Sequence, residues 1–295
     1  MLGACGVNMC GIAGYIVTNG GTVRKRKLKL LAQSLLLGIS ERGKEAAGYA
    51  YVHPQTGFVR IAKEGVSPID FVKIPGHLLS TGDHQDMPRA MILHARFPTQ
   101  GSVRNNENNH PLYSKGSGLC MVHNGWFTNE AEVAKAENIE QDGEVDSEVY
   151  LKLIERYAQG CLMDTAIEKA TQQLDGTSAC AMIQAKKPNQ LWLWRDNFGS
   201  LSVAETEFGF VFASTPGILY AALFASLTAF DSTTLGNIPL DKGELLLLSD
   251  AGVALRKKLA LGTGEFHWST RYENGVKVRQ KVDVGANGQV WWGGE

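Results

Sequence analysis

The sequence predicts a layered α+β fold, and three observations carry that prediction. Strand-like and helix-like segments come in blocks along the 295 residues, whereas a doubly wound parallel sheet would alternate them strictly. With 44% hydrophobic and 20% charged residues, the chain can bury a sizeable core. No apolar run approaches the length of a membrane span.

The elements follow in chain order. Residues 11–18 (GIAGYIVT) read as a buried strand. Residues 23–38 carry Leu28, Leu31 and Leu35 with basic residues between them, which predicts an amphipathic helix ending at Gly38. The runs 46–53 and 57–62 predict two strands joined through HPQTG, a Pro/Gly turn. Residues 67–88 are rich in Pro, Gly, His and Asp and read as a loop. Strands are expected at 90–95 and 118–123, and helices at 128–136, 146–158 and 162–173, with Asp146 or Ser147 as a candidate cap of the second. Short strands follow near 178–184, 190–194, 201–205, 209–213 and 243–249, with one helix near 216–226. Trp192 and Trp194 alternate on one of these strands and are expected in the core.

Composition excludes several functions. A net charge of −1 offers no global attraction to nucleic acid or an anionic membrane. The basic run from Arg24 to Lys29 has no interleaved aromatic residues, so it reads as the solvated face of its helix. Five cysteines (Cys5, Cys10, Cys120, Cys161 and Cys180) are odd in number, scattered and free of any CxxC. That pattern speaks against a disulfide framework or zinc site and for a reducing compartment. The segment 1–9 (MLGACGVNM) lacks the basic start and long apolar stretch of a secretory signal. A cytoplasmic protein without metal or cofactor is expected.

Chemistry enters at Cys10. A thiol with pKa near 8.5 is mostly protonated at neutral pH and needs an activating base. An N-terminal α-amine, with pKa roughly 7.7–8.0, is suited to that work. Translation from Met9 followed by methionine removal, or cleavage of a propeptide, leaves Cys10 first. While the Met9–Cys10 bond is intact, the nitrogen is an amide. On Met-Cys-Gly alone, a buried structural cysteine is the better reading.

Other motifs accompany it. The segment MCGIAGY resembles the opening of the class II, N-terminal-nucleophile glutamine amidotransferases. Similar segments follow in the family's order: ERGKEAAG (Glu41 to Gly48), HARFPTQG (His94 to Gly101), NNHPL (Asn108 to Leu112), VHNGWFTN (Val122 to Asn129) and EVDSEV (Glu144 to Val149). Weaker echoes lie in LDGTSACAMI, LWRDNFGSLSVA and FVFASTPG. The resemblance covers Cys10 to about residue 249. It implies the four-layer αββα sandwich of N-terminal-nucleophile hydrolases and hydrolysis of the glutamine side-chain amide through a Cys10 thioester.

The resemblance also implies roles. Arg96 would bind the α-carboxylate of glutamine, which a guanidinium fork matches bidentately. Asp146 would pair with the α-ammonium, and Thr99 would contact substrate beside the arginine. The Asn124 side-chain amide and Gly125 backbone N–H would receive the oxyanion. Arg42 and Gly43 would shape the pocket near the nucleophile. Each has a plainer reading by itself: Arg96 a surface ion pair, Asp146 a helix cap, Asn124-Gly125 a hairpin turn, and Arg42-Gly43 a loop closing the preceding helix. His94, His110 and His123 read as structural, because the mechanism needs no histidine. Trp126 follows the Asn-Gly pair where the family more often has an aliphatic or acidic residue.

The organisation expected is an upstream segment 1–9, an amidotransferase domain 10–250 and an extension 251–295. That extension, with its Trp291-Trp292 pair, is either a final hairpin on the domain or a docking segment. No synthase domain is expected after residue 250, so ammonia is expected to pass to a separate acceptor subunit. Two other functions remain open: a catalytically silent glutamine-binding regulatory module, and an amidohydrolase of the same fold acting on another γ-glutamyl amide.

Overall fold

A first strand buried on both faces sets the layers. The computed structural model describes residues 9–80, 87–226, 236–238, 240–261, 266–273, 276–284 and 290–291. Along β1 (Gly11–Val17), Ala13, Tyr15 and Val17 enter one core, and Ile12 and Ile16 enter another. Successive side chains of a strand face opposite sides, so this strand has protein on both faces.

β1 sits in a seven-stranded sheet with β2 (Ala46–Val52), β3 (Val59–Glu64), β4 (Ala90–Arg96), β9 (Ser202–Thr206), β10 (Gly209–Ala213) and β11 (Gly236–Ile238), in the order β11-β9-β10-β1-β4-β2-β3. The outer face of this sheet is covered by α1 (Lys25–Ile39) and α6 (Pro216–Ser226), which also pack on each other. Leu28, Leu31 and Leu35 of α1 meet Tyr15, Leu93, Val211 and Leu219 there. A short helix α2 (Pro68–Phe71), capped by the Ser67 hydroxyl, interrupts the stretch read as loop and places Phe71 in the same core.

A six-stranded sheet forms the second inner layer. It runs β13 (Gly252–Lys258), β12 (Glu244–Ser249), β8 (Gln190–Arg195), β7 (Gly176–Gln184), β6 (Leu119–Phe127) and β5 (Leu112–Tyr113). Ile12, Ile92 and Phe212 of the first sheet meet Val122, Ala181, Leu193 and Leu246 of the second. On the second sheet's other side lies α4 (Asp146–Ala158), accompanied by α3 (Glu130–Ala136) and α5 (Met163–Gln173). The result is the expected αββα sandwich. Trp192 and Trp194 are both buried, and the Trp194 indole N–H donates to the Tyr150 hydroxyl at 2.7 Å.

Three local expectations are corrected. β6 continues through Asn124 and Gly125 to Phe127, pairing them with Ala179 and Ser178 of β7, so Asn-Gly is strand interior rather than a turn. Long-range pairing here overrides a local turn preference. The cap position of α4 belongs to Val145, and Asp146 and Ser147 both lie inside the helix. α1 ends one residue later, at Ile39.

The chain divides into two compact units, Met1–Ala260 and Leu261–Glu295. Within the second, β14 (Phe266–Glu273) pairs antiparallel with β15 (Val276–Val284), and β15 with β16 (Val290–Trp291). Residues 1–8 of the upstream segment, with Cys5, and Trp292 of the tryptophan pair lie outside the described residues.

Candidate active site

Strand register brings the candidate nucleophile to the candidate carboxylate binder. β1 and β4 pair antiparallel with Gly11 facing Ala95, so Cys10 at the mouth of β1 lies opposite Arg96, the last residue of β4. Arg96, Asp146 and Arg42 all act electrostatically on the Cys10 thiol. The thiol donates to the Phe97 carbonyl at 3.5 Å. Burial pushes it up to about 11, the two guanidiniums only partly offsetting the loss of water. With Met9 attached, its nitrogen has no basic lone pair.

The loop after α1 closes onto this point. Arg42 donates from Nε to the Cys10 carbonyl at 2.9 Å, and its Nη2 is buried among the described residues without a hydrogen-bond partner. Gly43 lies against β4 so closely that an added Cβ would sit 2.4 Å from the Arg96 carbonyl carbon and 2.6 Å from the Ala95 oxygen. The glycine is required here for close approach of two backbones.

Arg96 is almost fully buried. Its Nη1 donates to Asn109 Oδ1 at 2.9 Å, and its Nη2 to the Gly101 carbonyl at 3.0 Å and to that of Gln100. Desolvation lowers its pKa, opposed by Cys10 and Asp146. Asp146 opens α4 and accepts from the Phe127 N–H at 2.8 Å and from the Ser147 N–H and hydroxyl at 2.7 and 3.1 Å. Gln100 joins the two parts, since its side-chain oxygen accepts from the Asp146 N–H at 3.2 Å. Asn108 donates to the Glu144 carboxylate at 2.8 Å and accepts from the Glu144 N–H at 2.7 Å, tying the 101–109 loop to the start of α4.

Asn124 lies on the β6 face that also carries Cys120 and Val122, toward the first sheet, and its Oδ1 is buried without a partner among the described residues. Gly125 faces the other way, where an added Cβ would meet the Thr177 carbonyl at 1.8 Å and His123 Nε2 at 2.5 Å. Thr99 stands apart: it is exposed on the turn after β4, and its hydroxyl makes no hydrogen bond among the described residues. His94 and His110 stack with centroids 4.3 Å apart in the interior. Burial lowers the pKa of His94 to about 3 and holds that of His110 well below the usual histidine range. Both rings are neutral spacers rather than bases at neutral pH.

Sequence reasoning did not single out Gln100, Asn108 or Asn109 as holders of the site. The signal was present, since all three fall inside the HARFPTQG and NNHPL segments. No group of three or more His, Cys, Asp and Glu side chains is placed to hold a metal among the described residues. A cavity of about 860 Å³ lined by Val17, Lys25, Leu28, Arg89 and Phe208 opens at the far end of β1, and none of the candidate residues lines it.

Residues 94–221 match the family model described as a glutamine amidotransferase domain. The glutamine–fructose-6-phosphate aminotransferase (isomerizing) of Thermococcus kodakarensis is 30% identical over 264 residues, covering 87% of this chain and 38% of that protein. The enzyme of the same name from Thermotoga maritima is 32% identical over 191 residues, covering 62% of this chain and 28% of its own. The chain carries a class II glutamine amidotransferase domain. That domain's fold is shared with the glutamine phosphoribosylpyrophosphate amidotransferase of B. subtilis solved with ADP and GMP. The likeness has a TM-score of 0.64 at 19% identity, over 86% of this chain and 50% of that one. The chain spans well under half the length of the aminotransferases it matches. No helix among the described residues is long and apolar enough to cross a membrane.

Proposed function

We propose that this chain hydrolyses the side-chain amide of L-glutamine to glutamate and ammonia, with Cys10 as nucleophile once it is the amino-terminal residue. The observation that carries the reading is the strand register that sets Cys10 opposite the buried Arg96, together with Gln100, which bonds both Arg96 and the buried Asp146. Glutamine presents an anion, a cation and an amide, and this arrangement has a partner for each. The bonds to Asn109, Gln100 and Gly101 use three of the five donors of the Arg96 guanidinium. The two that remain lie on Nε and Nη1, on different edges of the guanidinium, so a single one of them is assigned to the substrate α-carboxylate, and the Asp146 carboxylate to the α-ammonium. Thr99 is assigned a contact at the rim, and Arg42 and Gly43 the shaping of the wall beside Cys10.

In this mechanism the Cys10 amine takes the thiol proton while sulfur attacks the amide carbon. The Asn124 side-chain amide and the Gly125 N–H stabilise the oxyanion, each such donor being worth about 2.7–4 kcal/mol in the barrier. The amine passes the proton to the departing nitrogen, which leaves as ammonia, and water then hydrolyses the γ-glutamyl thioester. We place the ammonia acceptor on a separate synthase subunit in the cytoplasm. The names of the relatives, which couple glutamine to an amination, support an ammonia acceptor, and the free thiols of Cys10, Cys120, Cys161 and Cys180 support a reducing compartment.

The amide at the Met9–Cys10 bond and the raised thiol favour a second reading for the unprocessed chain, a glutamine-binding module without catalysis. Intact mass of the protein from its native host, followed by a glutaminase assay, separates the two. A mass beginning at Cys10 with ammonia release supports the enzyme. Retention of Met9, with binding but no turnover, selects the module. Ammonia release from glutamine that survives Arg96→Ala refutes the assignment of that arginine.

A further inference from the structure

We propose that His123 and Ser147 are positioning residues that hold the Asp146 carboxylate for the α-ammonium of the substrate through a His–Ser–Asp hydrogen-bond chain. The inference rests on the reading of Asp146 given above.

Counting protons fixes the direction of the chain. Ser147 Oγ lies 2.7 Å from His123 Nδ1 and 3.1 Å from Asp146 Oδ1. A carboxylate only accepts, so the single hydroxyl proton of Ser147 goes to Asp146. His123 must then donate its Nδ1–H to Ser147, which leaves Nε2 bare in the neutral ring. At 3.4 Å the Nε2 contact with the Thr177 carbonyl is longer than the 2.7 Å contact of Nδ1 with Ser147, and it is the one that gives up its proton in this tautomer. Burial disfavours the imidazolium and keeps the ring neutral.

The histidine is held from every side. Its ring stacks on Phe127 with centroids 5.0 Å apart and planes 11° apart, and it meets Tyr150 edge-on at 6.0 Å. Its carbonyl accepts from His94 Nε2 at 3.1 Å. Gly125, two residues along β6, provides the space, because an added Cβ would fall 2.5 Å from His123 Nε2. Asp146 thereby receives three donors, the Phe127 N–H, the Ser147 N–H and the Ser147 hydroxyl. They fix its plane and leave acceptor capacity for one more. Met121 and His123 alternate with Val122 and Asn124, so the imidazole faces the helix layer while the candidate amide group faces the other sheet. His123 and Ser147 therefore act through Asp146 and do not touch substrate.

The test compares the active protein with two amides, L-glutamine and 4-carbamoylbutanoate, the same skeleton without the α-amino group. Ser147→Ala is expected to raise KM for glutamine roughly tenfold, the worth of one hydrogen bond to a charged group. It should nearly preserve kcat and leave kcat/KM for 4-carbamoylbutanoate unchanged, and Ser147→Thr should restore the loss. His123→Asn keeps an N–H near the Nδ1 position and should retain more glutamine preference than His123→Gln, which gives a comparison if Ser147→Ala folds poorly. Equal losses on both amides, or an unchanged ratio in Ser147→Ala, overturn the inference. An Asp146→Asn variant separates the levels: if it keeps the wild-type preference, or the wild type has no preference, the reading of Asp146 itself fails. If Asp146→Asn loses the preference and Ser147→Ala keeps it, only the positioning chain fails.

Discussion

Replacing Gly43 by alanine tests whether the loop after α1 sets the distance between Cys10 and Arg96. The new Cβ would lie 2.4 Å from the Arg96 carbonyl carbon, with the Ala95 and Arg96 oxygens at 2.6 and 2.7 Å. Ordinary contact begins near 3.4 Å, so the loop or the end of β4 must give way by about 1 Å. All three atoms are backbone, and β4 is clamped between β1 and β2, so no flexible side chain can absorb the shift. Overpacking of this kind costs roughly 1–3 kcal/mol of stability. A displacement of about 1 Å at a catalytic constellation costs on the order of 10²-fold in rate. We therefore expect Gly43→Ala to lower kcat/KM for glutamine by about two orders of magnitude while lowering the urea midpoint. Gly217→Ala is the control: its added Cβ meets nothing within 4 Å in α6, and alanine is the better helix former. Full glutaminase activity in Gly43→Ala with an unchanged midpoint would refute the argument that close backbone approach builds the site.

Other expectations follow from the same geometry. In protein that retains Met9, alkylation of Cys10 should climb through pH 9 toward the raised thiol value of about 11, and a plateau below pH 8 would contradict it. His94 has its folded pKa lowered from 6.5 to about 3, so its neutral burial contributes stability above pH 6.5 that is lost as pH falls toward 3. Urea midpoints measured from pH 8 to 4 should decline below about 6.5; a flat profile would remove the histidine from the account. Trp194→Phe should cost about 1–3 kcal/mol, because it withdraws the donor from a buried Tyr150 hydroxyl. An unfolding curve superimposable on the wild type would show that the bond contributes nothing.

Much of the fold was legible because it is written in apolar runs and in periodicity. The apolar run GIAGYIV names a buried strand, and the leucine spacing of α1 names a helix and its buried face. The segments that escaped were short or local in appearance. β5 has two residues, and Asn124-Gly125 carries a turn signal that pairing with Ala179 and Ser178 overrides. Of the site, the nucleophile, Arg96 and Asp146 were nameable from their motifs. Their holders were not, because the Arg96–Asn109, Gln100–Asp146 and His123–Ser147 bonds link residues 13, 46 and 24 positions apart.

By itself, then, the sequence determined the layered class, the family likeness and the residue types that a glutamine site needs. Those follow from local patterning and from motif order, which no folding is required to see. Tertiary structure alone decided that Cys10 faces Arg96, that Gly43 must lack a side chain and that His123 reaches Asp146 through Ser147. Each of these depends on strand register and on backbone approach within a few ångströms. Both are set by which strands pair, so they come into being only when distant segments close on one another.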